Sequence, residues 1–217
     1  VSQPAIPWHV NKTFDQLVAL EMPSKPKTLS WVVGNARDLP GHRKRLAFLA
    51  YIQRKGSLNI DLFGRAVQFI EDKWDGLSPY QYSLAIENSS SPDYWTEKIA
   101  DCFLSWSVPI YYGCTNLEDY FPSESFIRLH IDSPEEAFES VKTIIKRDNW
   151  EKRLPALEEA RDLVLHRYQL FPHLSRLIQA QPQRDLKPND ILLPAYKRTV
   201  KAAFNHQMYK IRKLLFF

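Results

Sequence analysis

A parallel α/β sheet flanked by helices is the fold class this sequence predicts, and three observations lead to it. Short apolar strands alternate with helical patterns through the first two-thirds of the chain, as βαβ crossovers require. The 217 residues are 44% hydrophobic and 25% charged, enough to bury a core of ordinary size. The most informative segment, residues 80–98, runs from an apolar strand into Glu87-Asn88, a polar loop and a helix. In open α/β sheets ligands bind outside the carboxyl ends of strands, where helix N-termini offer unpaired N–H groups to phosphate.

Residues 1–27 are proline-rich, carry a short helical stretch near Phe14 to Leu20, and read as a connector. A strand is expected at 29–34. A helix follows at about 41–54, with a partial apolar face from Leu46, Leu49 and Ile52 or Gln53. The next strand, 59–63, ends at Gly64. The strand 82–86 leads to a helix opening at Asp93, a favourable N-cap with Pro92 closing the loop before it. In that helix Tyr94, Glu97 and Lys98 fall at i, i+3 and i+4 and share a face. Trp95, Ile99, Cys102 and Trp106 form a separate apolar stripe. By spacing, Glu97 and Lys98 suit a solvated first turn as well as a ligand site; the polar loop before them tilts the balance toward binding. Strands at 108–112 and 126–131 come next. Ser133-Pro134-Glu135-Glu136 is a capping box with Pro at N1, opening a helix to about Ile145. These elements make one Rossmann-like domain over 28–147, followed by a helical segment over 148–217.

Charge is uneven. The chain has a formal net charge of +4, and residues 148–217 hold 13 Lys/Arg against 7 Asp/Glu. In the tail, Tyr196, Val200, Phe204, Ile211 and Leu215 fall near one stripe, with Lys197, Arg198, Lys201, Lys210, Arg212 and Lys213 largely off it. Such a helix over 186–217 either packs back on the fold or makes peripheral contact with an anionic membrane. With no recognised reading motif, a nucleic-acid partner is not expected. No run approaches the ~18 apolar residues of a membrane span. No secretory signal is visible, although a chain opening at Val1 is consistent with an N-terminal part removed or left out. Two cysteines, Cys102 and Cys114, fit a reducing compartment, so a cytoplasmic location is expected. Asn11-Lys12-Thr13 and Asn88-Ser89-Ser90 match the glycosylation pattern, and a glycan on Asn88 would block the site.

Other chemistries fit poorly. The six histidines show no metal-ligand spacing, and neither a P-loop nor a G-x-G-x-x-G run occurs among only six glycines. No D-x-D pair is present, so no metal site is expected, and protein cations must neutralise any anion bound at the helix N-termini. Lys98 stands one turn inside the motif helix, where the helix dipole also favours an anion. Arg43 and Arg45 open the helix after the Asn35 loop.

The ordered runs Tyr82-Ser83-Leu84-Ala85-Ile86-Glu87-Asn88-Ser89 and Asp93-Tyr94-Trp95-Thr96-Glu97-Lys98-Ile99 closely resemble the signature of the α-1,3-fucosyltransferases, glycosyltransferase family ten. Val108 to Gly113 and Phe121-Pro122 through Phe126-Ile127 match its later segments. Leu29 to Asn35 resembles its earlier strand, with Gly34 in place of Ser. The resemblance covers about residues 28 to 146. It implies the C-terminal, donor-binding half of a GT-B enzyme, an inverting transfer of fucose from GDP-fucose to a glycan acceptor, and no cofactor. It also implies that Asn88, Lys98 and Arg45 (Arg43 the runner-up) contact the diphosphate. Tyr94 and Glu97 would hold the ribose or sugar, and Glu87 would support the loop. The family's general base belongs to the other half and is not identified in this chain. In a eukaryote the resemblance implies the Golgi. Transfer of a different GDP-sugar, or a non-catalytic nucleotide-sugar-binding or interaction module, stand as alternatives.

Overall fold

The computed structural model describes residues 7–34, 40–65 and 67–180. The Asn35 loop and the 186–217 tail discussed above lie outside them. Five parallel strands form one sheet in the order β2-β1-β3-β4-β5: β1 Lys27–Val32, β2 Asp61–Phe63, β3 Tyr80–Ile86, β4 Val108–Tyr112 and β5 Ile127–Arg128. The helices are α1 Phe14–Val18, α2 Pro40–Lys55, α3 Glu97–Leu104, α4 Pro134–Arg147, α5 Leu154–His166 and α6 Leu170–Gln179.

The chain runs from β1 through α2 outward to β2, then returns past β1 to β3 and continues through α3 to β4. Right-handed crossovers in opposite directions place α2 and α3 on opposite faces of the sheet. Accordingly α2 packs on α4, with the Tyr51 and Phe138 rings 5.6 Å apart, while α3 packs on α5. The reversal of direction between β1 and β3 makes that pair the switch point of the sheet, where a crevice opens at the carboxyl ends.

Burial explains most elements. β3 is covered on both faces, so all its residues except Gln81 are buried, as a near-continuous apolar run dictates. α3 buries Ile99, Ala100, Cys102, Phe103 and Leu104 together with Asp101. Ser133 caps α4 through Glu136 N–H with Pro134 in the first turn, as its sequence predicts. The connector packs on the domain: Val10 and Leu17 are in the core, and the buried Arg161 guanidinium of α5 donates to the Leu17 carbonyl. Leu157, Ala160, Val164 and Leu165 of α5 join the same core.

Two expected elements differ. The helix after the motif loop opens at Glu97, not Asp93. Thr96 is its N-cap, and Asp93 sits in the left-handed region at φ 59°. Asp93 is instead a latch. Its N–H donates to Asn116 Oδ1 at 2.8 Å, and its carboxylate accepts from Asn116 Nδ2 at 3.0 Å and Tyr120 OH at 2.6 Å. Tyr94 therefore precedes the helix and does not share a helical face with Glu97 and Lys98. The strand expected at 126–131 shrinks to two residues because it lies at the sheet edge and pairs with β4 alone.

Candidate functional site

β3 ends at Ile86, and the next residue still pairs, Glu87 N–H donating to the Tyr112 carbonyl at 2.8 Å. That holds Glu87 at the carboxyl end of the central strand, fully buried. Gly113 makes room for it: a Cβ there would lie 2.4 Å from Glu87 Cγ and 2.5 Å from the Tyr111 hydroxyl oxygen. The Glu87 carboxylate accepts from Thr96 N–H at 2.8 Å, from Thr96 Oγ1 at 2.8 and 2.7 Å, and from Lys98 Nζ at 2.8 Å. One buried carboxylate thus fixes both the start of α3 and the ammonium standing on it. Trp95 anchors the same turn from the other side, its ring 5.0 Å from Phe121 and 5.4 Å from Tyr168.

Across the crevice, α2 delivers Arg45, which is 4% exposed while Arg43 is solvent-exposed. Arg45 Nη1 donates to Asn88 Oδ1 at 2.5 Å and Nη2 to the Gly34 carbonyl at 3.1 Å. It therefore ties the carboxyl end of the β1 segment to that of β3. The first turn of α2 lies directly on Asn88, since a Cβ on Gly41 would be 1.7 Å from the Asn88 carbonyl oxygen. Arg45, Asn88, Glu97 and Lys98 share an open cleft of about 590 Å3 with Gly34, Gly64, Arg65, Phe69, Glu71, Lys73 and His9 among its walls. That volume is in the range of small-molecule sites.

The electrostatics favour an anion. Burial pulls the Lys98 ammonium down, but Glu87 and Glu97 outweigh it and hold it above its usual range. Burial also lowers the Arg45 guanidinium, opposed by Glu87, and an arginine so placed remains a cation. Burial pushes the Glu87 carboxyl up, against Lys98 and Thr96. Burial pushes Glu97 up as well, but Lys98 and Lys73 prevail and keep it below the usual carboxylate range. Glu97 Oε1 stands 3.5 Å from Lys98, 3.7 Å from Lys73 and 3.8 Å from His9 Nδ1. Among the described residues no group of three His, Cys, Asp or Glu side chains is arranged to hold a metal ion, and no helix is long and apolar enough to cross a membrane.

The structure therefore brings Arg45, Asn88, Glu97 and Lys98 into one cleft, with Glu87 beneath it as their support. Tyr94 is not among the cleft's lining side chains. Its carbonyl accepts from Tyr111 OH at 3.5 Å, and burial raises its phenol, with Glu87 adding to the shift. Sequence reading missed Lys73, Arg65 and His9. Lys73 is held by Asp101 Oδ2 at 3.0 Å, and the same carboxylate takes His9 N–H at 2.7 Å. These contacts join residues 28 and 92 apart, and no local pattern reports them.

Fold and site together define a parallel α/β domain with a cationic cleft at the carboxyl ends of its central strands, the class that contains the nucleotide-sugar-binding domains of glycosyltransferases. The signature described as glycosyltransferase family 10 (fucosyltransferase) C-term matches residues 22–152. The chain belongs to that family. It is 34% identical over 145 residues to the 4-galactosyl-N-acetylglucosaminide 3-alpha-L-fucosyltransferase 9 of Mus musculus and, equally, to that of Homo sapiens. Each alignment covers 61% of this chain and 39% of the relative, so the chain spans about two-fifths of the length of the curated relatives it matches. Among solved structures, an alpha1,3-fucosyltransferase with GDP-fucose aligns at a TM-score of 0.48 and 26% identity, covering 63% of this chain and 40% of that one. TarM aligns at 0.46 and 11%, covering 74% and 36%.

Proposed function

We propose that this domain binds GDP-fucose and serves as the donor half of an inverting, metal-independent fucosyltransferase acting on a glycan hydroxyl. The observation that carries the reading is the convergence of Arg45, Asn88 and Lys98 on one cleft at the sheet's switch point, within a chain of the fucosyltransferase family. Arg45 and Lys98 meet the diphosphate, and Asn88 is held in place for it by Arg45. Glu97 accepts ribose or sugar hydroxyls, a usual task for a carboxylate in such folds. Glu87 acts through others: it positions Lys98 and the α3 terminus. Tyr94 closes the turn beside them.

In the reaction, an acceptor hydroxyl oxygen attacks the anomeric carbon while the bond from that carbon to the β-phosphate oxygen breaks. The acceptor's proton passes to a base supplied from outside the donor half. Negative charge grows on the departing β-phosphate, where two fixed cations stabilise it more than they stabilise the ground state. This division of labour needs no metal at the diphosphate. Transfer from GDP-fucose by the protein containing this chain, followed by NMR of the product linkage, tests the reading. The expected result is an inverted anomeric configuration at a rate unchanged by EDTA. Retention of configuration, or loss of activity with EDTA that added metal restores, would overturn the mechanism.

A further inference from the structure

Glu97 and Asp101 stand four residues apart on α3 and share a face of the helix. Glu97 lines the cleft, whereas Asp101 lies one turn deeper and is 1% exposed. Lys73 stands between them. Its ammonium donates to Asp101 Oδ2 at 3.0 Å and keeps 3.7 Å from Glu97 Oε1, beyond hydrogen-bond length. The backbone beside Lys73 is fixed as well: Asp72 Oδ1 accepts from Trp74 N–H at 2.9 Å and from Asn11 N–H of the connector at 3.0 Å. The other oxygen of Asp101 takes the connector's His9 N–H at 2.7 Å. Both oxygens of the buried carboxylate are thus engaged by groups from outside α3.

Two carboxylates one turn apart compete for a single ammonium. The buried one gains more from it, because a carboxylate out of water is costly unless it is paired and hydrogen-bonded. Lys73 therefore rests on Asp101, and two consequences reach the cleft. The nearby positive charge keeps Glu97 ionised, a state that only accepts hydrogen bonds. The same bond holds the ammonium back from Glu97 and leaves the Glu97 oxygens to the hydroxyl groups of a ligand. Without the charge of Asp101, Glu97 is the one carboxylate left within ion-pair distance of Lys73 among the described residues. The flexible four-carbon stem of lysine lets the ammonium close that gap, and a direct ion pair would then cover the acceptor.

Resting on the reading that Glu97 accepts hydroxyls of a nucleotide sugar, we propose that Asp101 is a positioning residue for donor binding: by holding Lys73 and the connector backbone it keeps Glu97 free to accept from the ligand. Calorimetry on the 217-residue chain with GDP-fucose and inorganic pyrophosphate, arranged as a double-mutant cycle, tests it. Asp101→Asn keeps an oxygen for His9 N–H but loses the charge that holds Lys73. It should weaken GDP-fucose by about tenfold, Glu97→Gln should do so by about tenfold, and the two together no more than Glu97→Gln alone. Independent or merely structural contributions would multiply to about a hundredfold. Pyrophosphate, which meets Arg45 and Lys98, should not be weakened by any of these changes. Adding Lys73→Gln to Asp101→Asn removes the ammonium that would cover Glu97 and sets amide against amide, so most of the GDP-fucose affinity should return. That pair also keeps the test open if Asp101→Asn alone does not fold, which circular dichroism checks. Multiplying losses, a pyrophosphate loss in step with GDP-fucose, or no recovery on replacing Lys73 would overturn the positioning role while leaving the donor reading intact. So would an Asp101→Asn variant that binds GDP-fucose like the wild type. A folded wild type that does not bind GDP-fucose would overturn both.

Discussion

At the scale of single residues, the site turns on Glu87. A carboxylate with no exposed surface is costly unless it is paired and hydrogen-bonded, and here Lys98 and Thr96 supply both. Removing one member of a buried pair strands the other, typically at about 3–5 kcal/mol. Lys98→Ala is therefore expected to lose stability in urea denaturation as well as GDP affinity. The Glu87→Gln/Lys98→Met double variant separates the two effects. It should recover most of the stability, because no buried charge is left alone, yet still bind GDP weakly, because the ammonium is gone. Recovery of binding in the double variant would show that Lys98 matters only to the fold. Gly41 offers a steric counterpart. A methyl group 1.7 Å from the Asn88 carbonyl oxygen cannot be accommodated, so Gly41→Ala must push α2 away from Asn88 and break the Arg45 clamp. A GDP affinity equal to wild type in that variant would contradict the close approach. The family resemblance favours Arg45 over Arg43, and in the structure Arg45 is buried while Arg43 is exposed. The carboxylate and the ammonium were each legible in the motif. Their 2.8 Å pairing was not, because it depends on how far the loop folds back under the strand.

At the scale of elements, strand and helix order was readable because hydrophobic periodicity sets it locally. The start of α3 was not. Asp93 and Thr96 are both competent caps, and the choice between them is made by tertiary bonds: Glu87 takes Thr96, while Asn116 and Tyr120 take Asp93. At the opposite, amino-terminal end of the sheet, Lys25 is 8% exposed and donates to the Ser78 and Ser105 carbonyls at 2.7 and 2.6 Å. Burial lowers its ammonium to about 7. An unfolded lysine keeps its ordinary value near 10.4, so between those limits the unfolded chain holds more protons than the folded one. Stability should then rise with pH from about 7 to 10 on account of this group, by a few kcal/mol at most. The Lys25→Met difference in urea midpoints, measured across that range, checks the sign. A difference that does not change with pH, or one showing the wild type losing stability relative to Lys25→Met as pH rises, would refute it.

At the scale of the whole molecule, the connector and α5 share the core of the α/β domain. Asp101 of α3 receives His9 N–H from the connector and Lys73 from the turn before β3. Residues that look remote in sequence thus complete the cleft wall. The family was legible from the ordered Glu87-Asn88 and Thr96-Glu97-Lys98 runs, since those residues build the carboxyl end of one strand and the start of the next helix. The contributions of Lys73, Arg65 and His9 were not legible, because nothing local distinguishes them from solvated charges. On the proposed reading, this cleft recognises a guanosine diphosphate sugar through protein cations. Calorimetric titration of the chain with GDP-fucose, GDP-mannose and UDP-glucose, each with EDTA present, addresses it most directly. Saturable binding of the GDP-sugars, tightest for GDP-fucose, is expected, with none of UDP-glucose at the same concentrations. A folded sample that binds none of them, or that prefers UDP-glucose, would contradict it.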